Sequence, residues 1–180
     1  MTKGFTLIEL LIVIAILAIL GTAVYLVLNP AQRLAEARDS QRMTDFANLT
    51  KALSLYLTST TTTSLIAGPR TEADVSCGFA SGCPVAAVSG YAINGTGWVG
   101  ANFKGLAVPP LATLPRDPVG NVNYHYAYKS NGAAIFSLNC RLESVKYRDK
   151  MVNDGGDKST CGSSYVDTTC WYEVGNSLSL

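Results

Sequence analysis

The sequence predicts an α+β protein in which one long N-terminal helix, half membrane-spanning and half amphipathic, packs on a small antiparallel β-sheet. Three observations predict this. Residues 5–28 form an apolar run with a single charge, Glu9. Beyond it, apolar positions recur at helical spacing as far as Leu57. Past residue 123 the pattern changes to alternation on both sides of an Asn-Gly turn, the signature of a hairpin.

The apolar run comes first. As a helix it would extend about 36 Å, more than a hydrocarbon core of roughly 30 Å. A membrane span is therefore expected over residues 5–28. Lys3 precedes the run and favours a cytoplasmic N-terminus, although Arg33, Arg38 and Arg42 lie on the other side. A secretory signal peptide fits poorly, because only four residues precede the run, the run is longer than an h-region usually is, and no small-x-small site sits cleanly after a short h-region.

Glu9 is the anomaly. A carboxylate at the centre of a membrane helix costs about 2.5–3.5 kcal/mol, and less near the interface. One reading is a glutamate tolerated at the interface. The other is a buried carboxylate that awaits a cation. Were the chain cut after Gly4, the new amine of Phe5 would be that cation. Between packed helices, such a pair would fix axial register, because displacement leaves a charge unpaired.

Lys3-Gly4-Phe5-Thr6-Leu7-Ile8-Glu9-Leu10 resembles the processing motif of type IV pilins and type II secretion pseudopilins. The match includes the glycine before the cut, the phenylalanine after it and the glutamate at the fifth mature position. The resemblance implies a leader at residues 1–4. It implies that a membrane prepilin peptidase cuts between Gly4 and Phe5 and methylates the new amine, and that Glu9 sets register. It also implies a pilin fold and assembly with identical or related pilin subunits in a helical homopolymer on an inner-membrane platform. The precursor would sit in membrane lipid with its N-terminus in the cytoplasm and later join an extracellular surface filament. The resemblance covers the N-terminal stretch alone.

Residues 29–59 form the amphipathic half. Asn29-Pro30 interrupts a helix locally, and Gly21-Thr22 weakens it upstream, so bending is expected between Gly21 and Pro30. Met43, Phe46, Ala47, Thr50, Leu53 and Leu57 then form one stripe. Arg33/Glu36 and Arg42/Asp45 are three apart, and Arg38/Arg42 is a like-charged pair. These charges are expected on a solvated or subunit-facing side. The run Thr58 to Ser64 ends the helix as a solvated linker or an O-glycosylated patch. Asn48-Leu49-Thr50 and Asn94-Gly95-Thr96 fit the N-glycosylation pattern by spacing only and are read as without significance, and Asn48 falls within the helix.

Residues 60–180 are expected as an extracytoplasmic β-domain. Residues 65–123, rich in Gly, Pro, Ala and Ser, suggest a long connection with short strands at 91–94 and 98–99. The hairpin comes next: residues 123–129 alternate Tyr124, Tyr126 and Tyr128, Ser130-Asn131-Gly132 turns, and Ala134, Phe136, Leu138, Cys140 and Leu142 share one face. That parity points Cys140 into the core. Five cysteines leave one over. The favoured arrangement joins Cys77 to Cys83 and Cys161 to Cys170, with Cys140 free. The alternative joins Cys140 to Cys161. Residues 171–174 suggest a last strand. Asn153-Asp154-Gly155-Gly156-Asp157 is an acidic turn, a weak calcium candidate through Asp154 and Asp157, with Asp167 or Glu173 as further acids. A plain turn is the favoured reading, so no metal is expected.

A formal net charge of +1 gives no reason to expect nucleic-acid binding. No nucleophile elbow, phosphate loop or carboxylate pair appears, so no enzymatic activity and no cofactor are expected. His125, the one histidine, reads as an exposed strand residue opposite the tyrosines. Three functions stay open: a structural subunit of a surface filament serving adhesion, motility or DNA uptake, a secretion pseudopilin, or an anchored binding domain that does not polymerise.

Overall fold

A computed structural model of the chain describes residues 4–59, 64–72, 90–162 and 169–180. Helix α1 spans Leu7–Leu28 and helix α2 spans Pro30–Ser59. Between them stands Asn29, in the left-handed region at φ 39° and ψ 74°. Asparagine tolerates that region better than most side chains. Its carbonyl accepts from the amides of Gln32 and Arg33 at 3.0 and 3.2 Å, so the residue that closes α1 also caps α2. Pro30 takes the first helical position, where a missing N–H costs little. Within the stretch where bending is expected, the helical backbone is interrupted at Asn29 alone. The helix runs through Gly21 without interruption, and Thr22 turns its hydroxyl back onto the carbonyls of Ala18 and Ile19 at 3.0 and 2.8 Å.

The sheet has four antiparallel strands in the order β1 (Gly68–Thr71), β2 (Ala127–Ser130), β3 (Phe136–Cys140) and β4 (Tyr172–Gly175). The hairpin pairs Ser130 with Phe136 and Ala127 with Asn139. Gly132, at φ 84°, supplies the left-handed turn residue. The strand expected at 123–129 begins later, at Ala127. Upstream, Asn121 Oδ1 accepts from the amides of Asn123 and Tyr124, both at 2.9 Å, and holds those residues in a turn. β1 is an edge strand, which tolerates Pro69. The strands expected at 91–94 and 98–99 are absent. Asn94 and Asn102 form one isolated bridge instead, and Trp98 and Val99 enter the core from a loop.

The core lies between α2 and the sheet. Phe46, Leu49, Ala52 and Leu53 meet Trp98, Phe103, Tyr126, Tyr128, Phe136 and Leu138 in one buried cluster. The Phe46 ring stands 5.1 Å from Tyr126 and stacks on Tyr172 at 6.4 Å. Fully burying such a side chain contributes about 1.5–3 kcal/mol. The buried line of the helix is Ala35, Asp39, Arg42, Phe46, Leu49 and Leu53, rotated from the expected stripe. Ala47 is exposed, and Met43, Thr50 and Leu57 are half-buried. Two charged residues occupy core-facing positions, which an apolar count passes over.

Cys161 and Cys170 are joined, and Cys140 is a buried thiol. Cys77, Cys83, Asp167 and the threonines at 60–63 lie outside the described residues. His125 corrects the expectation of exposure. It is fully buried, edge-on to Trp171 at 5.4 Å, with Nδ1 3.2 Å from the Asn121 carbonyl. Because β2 begins at Ala127, strand parity does not govern residue 125. The Arg141 guanidinium also lies over the Trp171 ring, at 4.1 Å.

Candidate functional site

The candidate site is the start of α1. Gly4 and Phe5 precede the helix in exposed, non-helical backbone. Thr6 is the N-cap, extended at φ −85° and ψ 152°. Its hydroxyl accepts from the Glu9 amide at 3.3 Å. Glu9 Oε2 accepts in return from the Thr6 amide at 2.9 Å and the Thr6 hydroxyl at 2.7 Å. This reciprocal capping box satisfies otherwise orphan donors at the helix start. The glutamate that is anomalous in an apolar run therefore has a local structural role as well. Carboxylates also suit the positive end of a helix.

Beyond Glu9, the apolar side chains of α1 have no cover among the described residues. Leu10, Leu11, Ile12, Ile14, Ile16, Leu17, Ile19 and Leu20 are all more than half exposed. A helix apolar on every side is stable only when something apolar covers it. By length and composition this helix can cross a membrane.

A second constellation joins α2 to the domain. Arg42 is fully buried. Its Nε and Nη2 donate to the two carboxylate oxygens of Asp117 at 2.6 and 2.9 Å, and Nη1 reaches Asp39 at 2.8 Å and Glu143 at 2.5 Å. Asp39 also accepts from the amides of Glu143 and Ser144. Arg38 chelates Glu143 from the half-exposed side. Burial alone would raise the Glu143 carboxyl, but its bonds to Arg38 and Arg42 win and hold it below the ordinary range. Arg42 thus does not pair with Asp45, as spacing suggests. Asp45 instead accepts from the Tyr126 hydroxyl at 2.8 Å. Arg33 and Glu36 do pair, on the outside. The signal for this network in the sequence is that Asp39 and Arg42 share the helical face of Phe46 and Leu53.

Beside this network lies Glu72. Its Oε1 accepts from the amides of Tyr126 and Asp117 at 2.9 and 3.1 Å. Burial pushes its carboxyl up to about 7.

The acidic turn at 153–157 is tied to protein donors. Asp154 accepts from the amides of Gly156 and Glu173 at 2.9 and 2.7 Å. Lys158 Nζ stands 2.6 Å from Asp157 and 3.0 Å from Glu173. An ammonium therefore sits among the carboxylates where a calcium ion would be sought. No cluster of three or more potential metal ligands occurs among the described residues.

Residues 1–25 match the prokaryotic N-terminal methylation motif. No curated protein and no solved structure matches the chain. The matched residues take in most of the exposed apolar helix α1, and α2 continues that helix onto a small antiparallel sheet. The methylation motif over residues 1–25, with the long helix packed on a small antiparallel sheet, supports a type IV pilin-like, prepilin-type protein.

Proposed function

We propose that this chain is a structural subunit of a type IV pilus-like surface filament, with no catalytic role of its own. It would be cut between Gly4 and Phe5, methylated on the Phe5 amine, and polymerised through α1 with identical or related subunits. Residues 5–28 would form the membrane and filament-core half of the spine, 29–59 the half that carries the domain, and 60–180 the exposed domain. The observation that carries this reading is α1 itself: an apolar helix with every described side chain exposed, most of it within the matched methylation motif. Before assembly lipid would cover it; afterwards, the same helix of neighbouring subunits would.

Filaments sheared from cells producing the chain, examined by electron microscopy and N-terminal mass spectrometry, test this. The expected result is filaments composed of a chain that begins at methylated Phe5. Recovery of the chain only from membranes, with Met1 intact, would overturn it.

A further inference from the structure

We propose that Asn94 is the acceptor of an N-linked glycan. This rests on the filament reading, in which α1 leaves residues 60–180 on the outer side of the membrane. The Asn-x-Thr triplets at Asn48 and Asn94 have different surroundings. Asn48 and Thr50 lie inside α2, where helical backbone prevents the triplet from folding into a local turn. Asn94 and Thr96 are exposed and lie outside every helix and every strand of the sheet. Asn94 Oδ1 accepts from the Thr96 amide at 3.1 Å and from the Thr96 hydroxyl at 2.6 Å. Donation to the amide oxygen stabilises the imidic form, in which Nδ2 carries a usable lone pair. The turn is also held from behind. Gly95 takes φ 87°, and Arg70 donates to the carbonyls of Gly95 and Gly97, each at 3.0 Å. Asn94 also borders a concavity of about 820 Å³ lined by Tyr91, Lys104, Pro109 and Pro110. A first sugar could lay its apolar face on those rings.

The donor class is a polyprenyl-pyrophosphate-linked sugar, handled by a membrane glycosyltransferase. Nδ2 attacks the anomeric carbon. The new C–N bond forms as the C–O bond to pyrophosphate breaks, the lipid pyrophosphate leaves with the electron pair, and the proton that the imidic form carries on Oδ1 passes to it, which restores the amide. No oxidation occurs.

Glycopeptide mass spectrometry of the full chain from its own cell envelope tests this, with the N-terminus read in the same sample. The Asn94 peptide should carry a sugar mass in the unaltered chain, in Thr96→Ser and in Asn48→Gln. It should lose that mass in Thr96→Ala and Asn94→Gln. An unmodified Asn94 in protein that begins at Phe5 would overturn the glycan and leave the filament reading standing. An unmodified Asn94 in protein retaining Met1 would overturn both.

Discussion

The Arg42 guanidinium grips the Asp117 carboxylate through two parallel hydrogen bonds, with both side chains fully buried. The two residues are 75 positions apart, one on the spine helix and one in the connecting loop. Asp39 and Glu143 share the same cation. Removing Arg42 therefore takes the cation from the buried carboxylates of Asp39 and Asp117, while Glu143 keeps Arg38. Arg42→Ala should cost about 3–5 kcal/mol. Arg42→Lys should recover little, because an ammonium cannot form the fork. Urea unfolding of the detergent-solubilised chain, followed through buried Trp98 and Trp171, measures both. A full rescue by lysine would mean that charge alone matters.

Glu72 gives a pH prediction. Its carboxyl lies at about 7 in the folded chain against an ordinary 4.5, because burial disfavours the charge. The folded state therefore holds this proton more tightly than the unfolded chain. Stability from this group is fully present below about pH 4.5 and is lost as pH rises through 7. Glu72→Gln retains an oxygen for both amides and removes the ionisation. The variant should gain roughly 2 kcal/mol over the unaltered chain at pH 8, allowing for partial solvent screening, and nothing near pH 4.5. Parallel unfolding curves at both pH values would contradict this.

These two predictions arise where the sequence is least legible. Residues 5–28 need no partner to be recognised, because a run of apolar residues declares itself locally. The facing of Cys140 is legible for the same reason, since parity along β3 is a local property. Arg42 cannot be read this way: its partners lie far along the chain, and a charge on a core-facing position looks like a break in the pattern. β1 is illegible because Gly-Pro-Arg-Thr carries no alternation. It is a strand because Gly68 to Thr71 pair with Ser130 to Ala127. His125 misleads because the tyrosine alternation extends past the true start of β2. The processing segment is legible as a motif, and Thr6-Leu7-Ile8-Glu9 also carries the spacing of a capping box, a signal that the charge anomaly of Glu9 overshadows.

The C-terminal turn supplies a paired test. A Cβ on Gly156 would collide with Glu173 Oε2, the oxygen that accepts the Lys158 amide at 2.9 Å. Gly156→Ala must displace a buried, paired carboxylate and should cost about 3 kcal/mol. Gly155 has φ 88° and open space around its Cα, so Gly155→Ala meets only backbone strain, about 1–2 kcal/mol. Thermal unfolding should rank Gly156→Ala as the weaker protein. The reverse order would discount the Glu173–Lys158 contact.

The two described cysteine environments should differ in chemistry. Cys161–Cys170 closes a short loop, and its reduction should cost about 2.5 kcal/mol by the loop-entropy estimate. Cys140 is wholly buried, and burial pushes its thiol well above the ordinary value, so thiolate is scarce. Alkylating reagent should leave the Cys140 peptide unlabelled in the folded chain and label it after unfolding. Peptide mapping reads both, and rapid native labelling of Cys140 would contradict its burial.

Glu9 performs two separable tasks, one observed and one proposed. It closes a capping box with Thr6, and its charge would meet a Phe5 amine during assembly. Glutamine at the same position can close a capping box but carries no charge. Glu9→Ala removes both. If register depends on charge, Glu9→Gln should insert in the membrane normally, with its helix start intact, and yield about as few filaments as Glu9→Ala. Thr6→Ala, which loses about 1 kcal/mol of capping but keeps the carboxylate, should assemble better than either. Membrane fractionation reads insertion, and sheared filament yield reads assembly. Normal filaments from Glu9→Gln together with poor filaments from Thr6→Ala would assign Glu9 to the helix start and remove the charge-pairing argument.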